Sequence, residues 1–153
     1  MEMPQLNLPF AALKTKSVEG TIQVFGQVRK KYFVLTPEEW VRQNLLRHLI
    51  EDLGYPAGRT AVETEISRKG AQQRADIVVH SRAGSPVLVA ECKSPDLKIG
   101  QAVFDQVSKY NAALEAEYLL VTNGLTHFCY QVDRESHSYS FLDSLPHYEE
   151  IDP

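Results

Sequence analysis

Residues 76–93 constrain the fold more than any other stretch: Asp-Ile-Val-Val-His, then Ser-Arg-Ala-Gly-Ser-Pro, then Val-Leu-Val-Ala-Glu-Cys-Lys. Ile77, Val78 and Val79 form one β-branched run and Val87 to Ala90 another, and Gly84, Ser85 and Pro86 between them supply turn chemistry. A hairpin symmetric about Ala83 and Gly84 places His80 opposite Val87 and Asp76 opposite Glu91. Cross-strand neighbours lie roughly 4.5–5.5 Å apart at Cβ, where like charges repel, so two facing acids need a compensating group. Alternation puts Glu91 and Lys93 on one strand face, with Ala90 and Cys92 on the other. Two acids and one amine therefore converge on one patch.

A hard divalent cation suits that patch. Mg²⁺ takes oxygen ligands, is held by one or two carboxylates, and leaves room for water and phosphate. Lys93 would orient or deprotonate an attacking water while the metal polarises a phosphodiester.

Asp76, a gap of fourteen residues, and Glu91-Cys92-Lys93 match the signature of the PD-(D/E)XK nuclease superfamily. Further blocks narrow the resemblance: Leu35-Thr36-Pro37-Glu38-Glu39-Trp40-Val41-Arg42-Gln43 upstream, Gln106-x-x-x-Tyr110 downstream, and Leu120-Val121-Thr122-Asn123-Gly124 beyond. Together they resemble the N-terminal nuclease domain of type I restriction enzyme R subunits, over about Lys30 to Val132. Ala75 precedes the first acid, so the literal Pro-Asp pair is missing. No G-x-x-x-x-G-K-[ST] phosphate loop occurs, so cleavage by this chain is expected not to need ATP.

The resemblance implies an α/β fold with a restriction-endonuclease-like αβββαβ core, a mixed central sheet flanked by helices, and extra C-terminal strands. It implies a Mg²⁺-dependent deoxyribonuclease, with Mn²⁺ able to substitute. Asp76 and Glu91 would be metal ligands together with the backbone carbonyl of Cys92, and Lys93 would act on the water. Glu39 has two readings: it completes a capping box with Thr36, or it points at the metal beside Gln43, one turn away. Gln106 and Tyr110 are either accessory site residues or a boundary residue and a core aromatic.

A length of 153 residues suits a single domain, expected over 20–145, with an arm over 1–19 and an acidic tail over 146–153. Apolar residues make up 43 % and charged residues 24 %, which excludes disordered and fibrous classes. A net charge of −4 argues against a broad basic footprint on nucleic acid, so contacts must come from a local patch. Arg68, Lys69, Arg74, Lys98 and Lys109 are the candidates, whereas Arg29, Lys30 and Lys31 read as a solvated loop. Two cysteines without histidines at zinc spacing exclude a structural zinc site. Without a signal peptide or an apolar run of spanning length, cytoplasm is the expected compartment. Partners admitted by this reading are DNA, a second copy of the chain, or separate translocase or specificity subunits, with no membrane.

In chain order, residues up to Ser17 read as an irregular arm that Leu6, Leu8 and Phe10 could dock, followed by a strand at Thr21–Phe25. Thr36 as N-cap and Pro37 at the first helical position start a helix running to about Leu53, where Gly54 and Pro56 stop it. Ala61–Ser67 alternates as a strand, Arg68–Arg74 reads as a basic loop, and a helix follows from about Gly100 to Glu115. Tyr118–Thr122, His127–Val132 and Tyr139–Leu142 read as further strands. The rival function is a catalytically silent nucleic-acid or protein binding module of a restriction or repair complex. A third is a non-nuclease hydrolase using the same carboxylates.

Overall fold

A computed structural model describes residues 3–68 and 71–153. Two sheets organise them. Strands β1 (Thr15–Val18), β2 (Thr21–Phe25) and β3 (Tyr32–Val34) make a small antiparallel sheet. Then come α1 (Pro37–Arg47), β4 (Thr60–Arg68), β5 (Ala71–His80), β6 (Pro86–Cys92), α2 (Gln101–Leu114), β7 (Tyr118–Thr122), β8 (His127–Asp133), β9 (Ser138–Leu142) and α3 (Tyr148–Ile151). The second sheet has six strands in sequence order, and only β6 and β7 are parallel because α2 crosses between them. From α1 to β7 the order is the expected αβββαβ core.

The middle strands are apolar on both sides because both faces of the sheet are covered. Ile77, Val79, Leu88, Ala90, Cys92 and Leu120 pack with Leu45, Leu46 and Leu49 from α1 and its extension. Val78, Val89, Leu119 and Val121 pack with Val103, Val107 and Tyr110 of α2. This double burial is what takes Asp76, within β5, and Glu91, near the end of β6, out of water.

The central hairpin has the anticipated register through Ile77–Ala90, Val78–Val89 and Val79–Leu88. It slips at the turn, where an irregularity pairs His80 with Pro86 instead of Val87. α1 begins as anticipated, with the Thr36 hydroxyl accepting from the Glu39 N–H at 3.0 Å. Its regular part is shorter than anticipated, since residues His48–Asp52 continue as one π-helical turn.

Three stretches differ from the sequence reading. β1 lies inside the supposed irregular arm; its alternating polar residues pair with β2, and Leu6 is buried while Phe10 stays exposed. The supposed basic loop at Arg68–Arg74 is mostly strand, since β4 and β5 pair out to Arg68 and Ala71. The acidic tail is docked, because Tyr148 and Ile151 are buried and the Tyr148 ring meets that of Tyr55 edge-on at 5.5 Å. Arg82 N–H donates to the Asp152 carboxylate at 2.8 Å, and the Tyr55 hydroxyl donates to the carbonyl of Pro146 at 2.9 Å. Tyr148 and Ile151 on a single terminal helical turn are too short a pattern to register as amphipathic.

Candidate functional site

The backbone ladder fails at Asp76 on both sides. Pairing with β4 skips from Val62–Ile77 to Thr64–Ala75, and pairing with β6 ends at Ile77–Ala90. Opposite Asp76 on β4, Glu63 has φ +53°, a conformation that non-glycine residues seldom adopt. With the ladder interrupted, the Asp76 carboxylate takes over a backbone donor: Oδ2 accepts from the N–H of Cys92 at 2.6 Å. Its other oxygen, Oδ1, accepts from Arg42 at 3.0 Å. A short charge-assisted bond and an arginine contact hold this buried acid in place.

Glu91 lies at the end of β6 and is 4 % exposed. Oε1 accepts from Lys93 Nζ at 3.1 Å, whereas Oε2 is buried without a hydrogen-bond partner. Burial, reinforced by the Asp76 charge and only partly offset by Lys93, pushes the Glu91 carboxyl up to about 8. Because Lys93 donates to Oε1, the proton that Glu91 retains at neutral pH belongs on Oε2. Lys93 follows β6 and is fixed to β7 by its N–H, which donates to the Thr122 carbonyl at 2.8 Å.

Helix α1 delivers the remaining groups. Glu39 does not complete a capping box through its side chain: Oε1 accepts from Arg42 at 2.8 Å and from Arg29 at 3.3 Å, and Oε2 accepts from Gln43 at 2.9 Å. Glu63 joins from β4, accepting from Arg29 at 3.2 Å and lying 3.6 Å from Arg42. Burial works against the Arg42 charge, yet Asp76 and Glu39 outweigh it and hold the guanidinium more firmly protonated. Glu38 is raised by burial and then by Asp76. Five carboxylates (Glu38, Glu39, Glu63, Asp76, Glu91) thus meet three cations (Arg29, Arg42, Lys93). Fully ionised, they leave a surplus of two negative charges.

A cleft of about 510 Å³ reaches one side of this group, where Glu38, Glu39, Arg42 and Glu63 line it with Phe33, Val34 and Ser94; Asp76, Glu91 and Lys93 adjoin it without lining it. Two other concavities, of about 430 and 410 Å³, lie between α2 and the β8–β9 edge and contain none of these acids. A third, of about 520 Å³ beside Glu117, Gln131 and Arg134, is also polar, but its acids are at the surface and not among the buried group. On the α2 side, Gln106 donates to the Tyr110 hydroxyl at 2.7 Å. Burial and then the Glu91 charge hold that phenol protonated.

Asp76, Glu91, Lys93 and Glu39 are therefore brought together, with Tyr110 beside Glu91. Among the described residues, no ion pair joins Arg74, Lys98 or Lys109 to these groups. Arg74 is exposed and pairs with Glu65 at 3.5 Å, Lys98 and Lys109 are exposed, and Lys69 lies outside the described residues. Arg68 ends β4, paired through its backbone with Ala71. Sequence reasoning missed Arg29, Arg42 and Glu63 as parts of this group. The spacing of Arg42 three residues after Glu39 put both on one helix face and could have signalled it. Nothing local marked Arg29 or Glu63.

Residues 37–146 match the family described as type I restriction enzyme R protein N terminus (HSDR_N), which is most of the chain. The chain belongs to this family. The matched span begins at α1 and holds every site residue except Arg29. Among solved structures, a fragment of a protein described as an HsdR subunit of a type I restriction enzyme from Vibrio vulnificus YJ016 is similar, with TM-score 0.57 and 21 % identity. That match covers 76 % of this chain and 24 % of that one, so this chain spans about a quarter of the length of that protein. No curated protein matches the sequence. Among the described residues, no helix is long and apolar enough to cross a membrane.

Proposed function

We propose that this chain hydrolyses DNA phosphodiester bonds at Asp76, Glu91 and Lys93, beside the cleft that Glu38, Glu39 and Arg42 line. The observation that carries the reading is the buried Glu91 carboxyl, with one oxygen on Lys93 and the other without a partner, beside a second buried acid. A buried acceptor without a hydrogen bond is costly unless a ligand completes it.

The donor chemistry fits a hard divalent cation. Carboxylate oxygens are its preferred ligands, and the surplus of two negative charges that appears once Glu91 ionises is what such an ion neutralises. Glu91 and Asp76 would hold it, with the Cys92 carbonyl as a further oxygen. When bound, Mg²⁺ or Mn²⁺ supplies Lewis acidity toward a phosphoryl oxygen. Each Asp76 oxygen accepts one hydrogen bond, from Arg42 and from the Cys92 N–H, which leaves a further lone pair on each for the cation.

The chain's own groups then have separate tasks. Lys93 Nζ sits at the partly open edge of the site, where it can orient the attacking water and donate to the negative charge that develops on the phosphoryl group. Glu91 gives up its Oε2 proton as an opposite charge arrives. Arg42 and Arg29 hold Glu39 and Glu63 in place through ion pairs. Water adds at phosphorus as the bond to the leaving oxygen breaks, and the proton of the water passes to solvent or to that oxygen.

A binding module without turnover is favoured by one observation. Among the described residues, no three His, Cys, Asp or Glu side chains already stand at metal-ligating geometry. Nicking of supercoiled plasmid by the purified chain with Mn²⁺, Mg²⁺ or EDTA decides between the two. Metal-dependent nicking that disappears in Asp76→Ala and Lys93→Ala supports hydrolysis. No nicking, together with no rise in thermal stability on adding metal, favours the module. Membership of a restriction complex with separate subunits belongs to the same proposal, and co-purification with such subunits tests it.

A further inference from the structure

An acidic site repels the polyanion it is meant to cut, so attraction has to come from nearby. Residues 14–31 hold Lys14, Lys16, Arg29, Lys30 and Lys31 against Glu19 alone, a surplus of four positive charges. The whole chain has a net charge of −4, so the rest of the molecule carries −8. The positive charge is thus concentrated on the small β1–β2–β3 sheet. That sheet lies outside the span that matches the family, which starts at residue 37.

We infer that this N-terminal sheet is a phosphate-backbone binding surface that presents nucleic acid to the adjoining cleft, an inference that rests on the hydrolytic reading above. Four of its lysines, Lys14, Lys16, Lys30 and Lys31, are exposed and, among the described residues, form no ion pair with a carboxylate. Arg74, by contrast, is already paired with Glu65. Three of the lysines are held against aromatic rings. Lys16 Nζ lies 4.0 Å from the Tyr32 ring centroid, Lys14 Nζ lies 5.2 Å from that of Phe25, and Lys31 Nζ lies 5.3 Å from that of Phe33. The rings themselves pack, with Phe25 and Tyr32 edge-on at 5.2 Å. Lysines laid along aromatic rings lose less side-chain freedom on binding than lysines without such contacts.

The sheet is also attached to the site. Arg29 stacks on Phe33, 3.4 Å from its centroid, while its guanidinium reaches Glu39 and Glu63. Phe33 and Val34 of β3 form a wall of the cleft. A strand lying across the sheet therefore continues into the cleft without crossing the acidic remainder of the surface. Phosphate contacts of this kind carry no base information, so the surface supplies affinity and orientation but no sequence preference.

The test is fluorescence anisotropy of the full chain with a labelled DNA duplex, in EDTA, over a series of salt concentrations. The variant set is Lys14→Gln, Lys16→Gln, Lys30→Gln and Lys31→Gln together; a matching Lys→Arg set serves as the charge-retaining control. The expected result is binding at least about tenfold weaker at low salt in the Gln set. The slope of log affinity against log salt should become shallower by roughly 3–4, at ~0.9 for each phosphate that a lysine no longer neutralises. The Arg set should bind as the parent does. Unchanged affinity and slope in the Gln set would overturn the inference. So would loss of binding only in Arg74→Gln with Lys98→Gln, or a preference of the parent for polyglutamate over DNA. The two readings fail separately: a parent that binds through these lysines but never nicks keeps this inference and sinks hydrolysis, whereas nicking with binding unaffected by the lysines does the reverse.

Discussion

Replacing Glu91 by Gln isolates the most perturbed carboxyl of the site. An unfolded chain ionises Glu91 near its ordinary value of 4.5, while the folded protein holds the proton up to about 8. Between those values the folded state carries the extra proton, so stability falls as pH rises; below 4.5 both states are protonated and the difference disappears. The slope approaches about 1.4 kcal/mol per pH unit, and between pH 6 and pH 8 the loss is about 2 kcal/mol. Glu91→Gln keeps the shape and cannot ionise, so its profile lacks this component. Urea denaturation of parent and variant in EDTA, across about pH 5.5 to 8.5, measures the difference directly. Other titrating groups cancel in that comparison. Profiles that run parallel from about pH 6 to pH 8 would falsify the argument, because they would mean that Glu91 is already ionised in the folded protein. With Mg²⁺ present the parent should show a smaller decline, since the cation takes the place of the proton.

Arg42→Met removes the cation shared by Asp76 and Glu39 and leaves both buried acids short of a partner. Chemical denaturation at neutral pH should show a loss of about 3–5 kcal/mol, and a loss below about 1 kcal/mol would contradict the role assigned to Arg42. Gly124 has φ +86°, and a Cβ there would lie 2.7 Å from Leu6 Cδ2, so Gly124→Ala should cost at least about 1 kcal/mol. Adding Leu6→Ala should relieve the clash but not the backbone strain, which a double-mutant comparison of midpoints resolves. Tyr148→Ala should cost about 3–5 kcal/mol by emptying the space against Tyr55, and an unchanged midpoint would show that the C-terminal helix does not stay docked.

Much of the candidate site was legible because its signals are local. Asp76 and Glu91 are spaced by a hairpin whose turn residues and apolar runs set the register without help from distant chain, and that register holds through three successive pairs. Lys93 follows from strand alternation alone. The start of α1 is equally local, since the Thr36 cap and Pro37 act within one turn. Lys30 and Lys31 are exposed, as the sequence reading has them, whereas Arg29 turns into the site because a short three-stranded sheet, which nothing in the sequence announces, sets it against Glu39 and Glu63.

The sequence by itself determined the αβββαβ core, the pairing of the central hairpin and the identity of three converging groups, because periodicity and turn chemistry act over a few residues. Only the tertiary structure decided what surrounds those groups. Arg42 reaches Asp76 across 34 positions of chain, Arg29 reaches Glu63 across the same separation, and Glu63 adopts its unusual backbone where the ladder opens at Asp76. The high Glu91 pKa likewise comes from burial under packed elements and from a neighbouring charge. Charges and desolvation act through space, and their effect is set by distances that exist only after the sheet and its helices have closed around them.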